Sequence, residues 1–183
     1  MLILSSRLEN TPVMALQTGS QLAVAGEPVI DPRNLQIVAY HLEANVFSKE
    51  KMLLRIAEIR ELSRLGYIID SGEDFILPDD VIKIKEILDL DFHLKGIKVV
   101  DKNGKNVGKV VDFTINLATF TIQQLIVKRS LFLRLSDTEL TIPTQKIVEI
   151  TDEKIIIDNE IEEIHTRSKK EDFIPNFTNP FRN

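Results

Sequence analysis

The chain has 183 residues, no cysteine, and a formal net charge of −5. Without cysteine it holds no disulfide, no thiolate nucleophile and no cysteine-ligated metal. An excess of acids over bases withholds the counterion-release term that drives bulk nucleic-acid affinity, so direct RNA or DNA binding starts disfavoured.

In chain order, residues 1–7 (MLILSSR) offer three apolar residues before polar ones arrive, too few for a secretory signal. No unbroken apolar run is long enough to span a bilayer, and the expectation is a soluble cytoplasmic protein. Residues 8–31 predict a short strand around Val13, a glycine turn at Gly19 and a strand over Gln21–Ile30. A turn at Asp31-Pro32-Arg33-Asn34, where proline presets φ, leads into a strand over Leu35–Ala44. Ile56, Ile59, Leu62 and Leu65 recur every three residues, which predicts a short helical or irregular piece over Ala57–Leu65, before a strand at Tyr67–Asp70. Pro78–Leu88 predicts a helix: Pro78 near its start, Asp79 and Asp80 in the first turn, and Val81, Ile84, Ile87 and Leu88 on one face.

The second half carries stronger signals. Ile97–Val100 is a short apolar run, and Asn103-Gly104 is a hairpin turn tolerant of positive φ. Val107, Lys109, Val111, Phe113 and Ile115 form one alternating row, and Gly108, Val110, Asp112 and Thr114 the other, which predicts a half-buried strand. Strands over Thr119–Lys128, Glu139–Pro143, Ile147–Thr151 and Lys154–Asp158 complete it.

Residues 94–116 and 8–31 share one plan: leading Leu, short apolar stretch, glycine turn, long strand-like run. Gly66–Asp70 likewise mirrors Lys154–Asp158. The expectation is a mainly all-β chain of two tandem small six-stranded barrels joined by one short helix. Its parts are residues 1–77, a linker helix at 78–91, 92–164, and a flexible tail at 165–183. The tail is polar and aperiodic, yet it carries Phe173, Ile174, Phe177 and Phe181. It is either a frayed end leaning on its own domain or a linear motif that docks into a partner.

Gly96, Gly104, Gly108-Lys109-Val110, Ile142-Pro143 and Ile147 together form a pattern that resembles the PRC-barrel family. That family is named for the cytoplasmic domain of the photosynthetic reaction-centre H subunit, and its fold also forms the C-terminal domain of a bacterial ribosome maturation factor. The resemblance covers residues 94–160, and 8–72 more loosely. The first copy keeps Gly19, Asp31 and Ile59 but has Asn10 where the second has Gly96, and Ala23 where it has Gly108. The resemblance implies a small barrel used as a binding or adaptor module.

No reaction chemistry is written in the sequence. It has no P-loop and no dinucleotide turn, and its serines lie in no nucleophile-elbow pattern. His41, His93 and His165 stand isolated, without a second ligand at metal spacing, and Asp101–Gly104 lacks the downstream carboxylates of a calcium loop. Carboxylates cluster at 70–80, 89–91 and 158–163, the ordinary state of solvated strand ends and linkers. No catalytic residue, cofactor or metal is assigned. Lys128, Arg129, Leu131 and Phe132 begin an apolar stretch flanked by bases, which reads either as a lid over a barrel end or as an exposed partner surface. With Phe173, Ile174, Phe177 and Phe181 they are the candidate partner-binding residues. The expected role is a non-catalytic adaptor for another protein or assembly. The alternatives are association with a ribosomal protein or precursor ribosomal particle, and a peripheral subunit at a membrane face. Edge strands leave a homodimer open.

Overall fold

A computed structural model of the chain describes residues 1–43, 51–129, 139–158 and 177–178. The chain is mainly β. The first half holds β1 (Leu2–Leu4), β2 (Thr11–Ala15), β3 (Gln21–Asp31), β4 (Gln36–Glu43), β5 (Leu53–Arg55), β6 (Glu61–Ser63), β7 (Gly66–Ile69) and β8 (Phe75–Ile76). A helix, α1 (Ile82–Leu88), precedes β9 (Lys98–Asp101), β10 (Asn106–Asn116), β11 (Thr121–Lys128), β12 (Glu139–Pro143), β13 (Ile147–Ile150), β14 (Lys154–Ile157) and β15 (Phe177–Thr178).

The two halves pair their strands in the same order. In the first, β3 lies antiparallel between β2 and β4, β5 adds to β4, β7 returns parallel to β2, and β6 pairs with β7. In the second, β10 lies between β9 and β11, β12 adds to β11, β14 returns parallel to β9, and β13 pairs with β14. The bulges coincide as well. Leu22 is skipped opposite Val13 and Met14, as Val107 is opposite Val99 and Val100. Two more shifts fall at matching places along β3–β4 and β10–β11. By this ladder Ala23 takes the place of Gly108, Pro28 that of Phe113, and Tyr67 that of Ile155. Neither half closes through a β5–β6 or β12–β13 ladder among the described residues. Short 3₁₀ turns, Ile56–Glu58 and Thr144–Lys146, carry the chain round that corner.

Bulges decide which side chains face inward. The alternating row from Val107 to Ile115 does not hold: Val110, Phe113 and Ile115 are buried while Lys109 and Val111 are exposed. The register shift between Val110 and Asp112 adds one residue to β10 and moves the inward face from one row to the other. Only the first two residues of the Ala57–Leu65 segment are helical. The segment is the end of a 3₁₀ turn followed by β6, because β6 is paired on both sides. The helix starts later than Pro78. Asp80 Oδ2 accepts from the Leu77 N–H at 2.6 Å, and the Asp80 N–H returns to the Leu77 carbonyl at 3.1 Å. That local turn holds residues 77–80 outside the helix.

The halves share one sheet and one core. Gln36 on β4 stands opposite Thr121 on β11. The Ile37 N–H donates to the Phe120 carbonyl at 2.8 Å and the Ile122 N–H to the Leu35 carbonyl at 2.9 Å. These are equivalent residues meeting each other, the signature of a local two-fold axis. Leu35 and Phe120 also share a left-handed backbone, at φ 56° and 50°, which is costly for a residue with Cβ. Both are buried in the common core, with Leu8, Leu94, Phe113 and Leu117. The N-terminal arms cross over: β1 pairs with β10 of the second half, and the Ser6 N–H donates to Asp112 Oδ1 at 3.3 Å.

Candidate functional site

A cleft of ≈ 490 Å³ opens where β3 and β4 meet the segment leaving α1. Pro28, Val29, Leu42, Ile87, Leu88 and Phe92 give it apolar walls, and Glu27, His41, Glu43, Lys51, Asp91 and His93 line it with charge. Glu27 sits on β3 at the place that Asp112 takes on β10. The second half therefore reaches over with His93 as the first half reaches over with Ser6. His93 Nδ1 lies 2.8 Å from Glu27 Oε1, and its Nε2 lies 3.3 Å from Asp91 Oδ1. The Glu27 carboxylate holds His93 above the ordinary histidine range, with Asp91 adding to it. Burial pushes His41, in the same cleft, the other way. Two imidazoles thus sit in one cleft with opposed protonation preferences. Among the described residues no three His, Asp or Glu side chains converge as a metal site.

In sequence these histidines stand isolated: Glu27 and His93 lie 66 residues apart. The repeat held the only signal, since Glu27 aligns with Asp112 and both sit where an arm from the other half arrives.

The sequence-predicted site residues are not brought together. Lys128 ends β11 and Arg129 follows it, both exposed. Leu131, Phe132, Phe173, Ile174 and Phe181 lie outside the described residues. Phe177 is in β15, where its backbone stands opposite Leu62 of β6, with Thr178 opposite Glu61. This stretch of the tail therefore joins the first half, not the second half that precedes it.

That pairing makes the sheet margins informative. The strand path runs from β13 at one margin to β15 at the other. β6 is covered by β15, whereas β13, its counterpart by the ladder, pairs only with β14 among the described residues. Val148 at this margin is 55 % exposed. The Thr151 N–H donates inward to the Lys154 carbonyl at 2.9 Å. Alternation then turns the neighbouring Ile150 N–H and carbonyl outward, away from β14.

The PRC-barrel domain model matches residues 89–164, the stretch that carries the firmer part of the sequence resemblance. No curated protein matches the chain. Among the described residues no helix is long and apolar enough to cross a membrane.

Proposed function

We propose that this chain is a non-catalytic adaptor, two PRC-like barrels sharing one sheet, that binds another protein along the β13 margin. The observation that supports this reading is the unequal treatment of two matching edges: among the described residues β6 carries an added strand and β13 does not. An open edge is a row of unspent backbone donors and acceptors, and such rows recruit extended segments. The PRC-barrel match at 89–164 spans β13 and is compatible with a binding module.

The test is site-specific photo-crosslinking in the native cell, with a photoreactive residue in place of Val148 and, as control, of Leu65, which is also exposed. A discrete heavier adduct from position 148 and none from position 65 is the expected result. No adduct at 148, or the same adduct at both positions, overturns the reading.

A further inference from the structure

The local two-fold relation says more about the partner than that it is a protein. We infer that the β13 edge receives an extended, antiparallel segment bearing an aromatic residue opposite Ile150 and a β-branched residue opposite Glu149. The inference rests on the adaptor reading and names its partner chemistry.

Tyr67 of β7 stands opposite Val13, and Ile155 of β14 stands opposite Val99. Leu62 pairs with Tyr67 and Ile150 with Ile155, so Leu62 and Ile150 are counterparts, as are Glu61 and Glu149. The chain itself shows what the first of these edges accepts: Phe177 opposite Leu62 and Thr178 opposite Glu61, antiparallel. The second edge presents the same parity. Ile150 turns its N–H and carbonyl outward as Leu62 does, Ile150 packs on the shared core, and Glu149 is exposed as the strand surface requires. An edge with the same backbone phase and the same alternation of faces selects a strand of the same phase. Aromatic and β-branched residues suit such a strand because they pack on a pleated surface.

The phase also dictates which backbone groups of the incoming strand matter. The residue opposite Ile150 exchanges both of its backbone hydrogen bonds with it, and the next residue points its N–H away. A capped peptide of residues 172–183 (DFIPNFTNPFRN) serves as the probe. Three forms are added to the intact chain: unmodified, N-methylated at Phe177, and N-methylated at Thr178. Amide hydrogen exchange is followed residue by residue.

The expected result is a several-fold slowing of the Ile150 amide by the unmodified peptide and by the Thr178-methylated form. The Phe177-methylated form should lose the effect, and the Leu62 amide, already covered by β15, should not change. No slowing at Ile150, equal slowing by all three peptides, or a change confined to Leu62 each overturns the inference. A silent peptide alongside a persistent crosslink from position 148 would remove the strand chemistry and leave the adaptor standing. Loss of both would remove the adaptor reading too.

Discussion

The two halves build the same ladder but dress its outer face differently. Three matching positions carry Val29, Ala39 and Leu53 in the first half and Thr114, Gln124 and Thr141 in the second, as the strand registers place them. The first trio is buried, at 4 %, 0 % and 0 % exposed, under Ile84 and Ile87 of α1. The second trio is half-buried, and Thr114 Oγ1 and Gln124 Oε1 lie 3.3 Å apart. One backbone thus supports an apolar face where α1 covers it and a polar face where no helix does among the described residues. The strand pairing does not choose the face; the covering element does. The linker helix is therefore part of the first half's packing rather than a spacer.

Exchanging residues between the two faces gives the largest expected effect. Leu53→Thr places a hydroxyl and a void beneath α1, and should cost about 2–4 kcal/mol in urea unfolding. The reciprocal Thr141→Leu changes a half-buried face that no helix covers among the described residues, and should stay within about 0.5 kcal/mol. Equal shifts from the two variants would break the comparison.

A second contrast lies in the inner ladder. Gly108 has φ 156°, and a Cβ there would stand 2.2 Å from the Lys128 carbonyl oxygen. Its counterpart Ala23 already carries a Cβ at 0 % exposure. Gly108→Ala should destabilise by more than about 1 kcal/mol, because backbone rather than a flexible side chain must yield. Ala23→Gly should cost roughly 0.5–1 kcal/mol through chain entropy alone. A harmless Gly108→Ala would mean that the β10–β11 approach is looser than its first-half counterpart.

Much of this was readable in the residues. Asn103-Gly104 and Gly19 marked their turns, and both glycines have the positive φ that such turns need. Asn10 in place of Gly96 looked like a departure, yet both sit at positive φ, 59° and 91°, because asparagine tolerates that region. What escaped has physical causes. A bulge leaves no mark in a hydrophobic pattern, so the sequence reads as two unbroken alternating rows along β10 although the inward face switches at Val111. Strands β1, β8 and β15 have three, two and two residues. They are strands because of the distant partners they meet, not because of their own periodicity. The cleft joins Glu27 to His93 only after the arms cross over, and no local window contains both. That β13 lacks a second partner among the described residues carries meaning only beside the covered β6, and no local window contains both edges.

The smallest expected effect separates the two histidines of the cleft. His93 faces Glu27 on β3 and Asp91 on its own segment, while His41 and Glu43 on β4, together with Lys51, complete the charged lining. The fold raises the His93 pKa, so its stabilising contribution is fully present below the unfolded value of about 6.5 and fades as pH rises through the higher folded value. The fold lowers the His41 pKa, so that contribution is present above about 6.5 and fades as pH falls through the lower folded value. In the intact chain the two slopes oppose each other. His93→Asn should leave the His41 slope alone, so the variant should lose stability on acidification more steeply than the parent. His41→Asn should leave the His93 slope, so that variant should lose stability on alkalinisation. His93 and Glu27 are 56 % and 55 % exposed, so solvent screening keeps the His93 effect below about 1 kcal/mol. Urea midpoints measured between about pH 5 and 8 decide it. Parallel pH profiles for the two variants would show that the crossover contact between His93 and Glu27 does not couple the arm's docking to proton uptake.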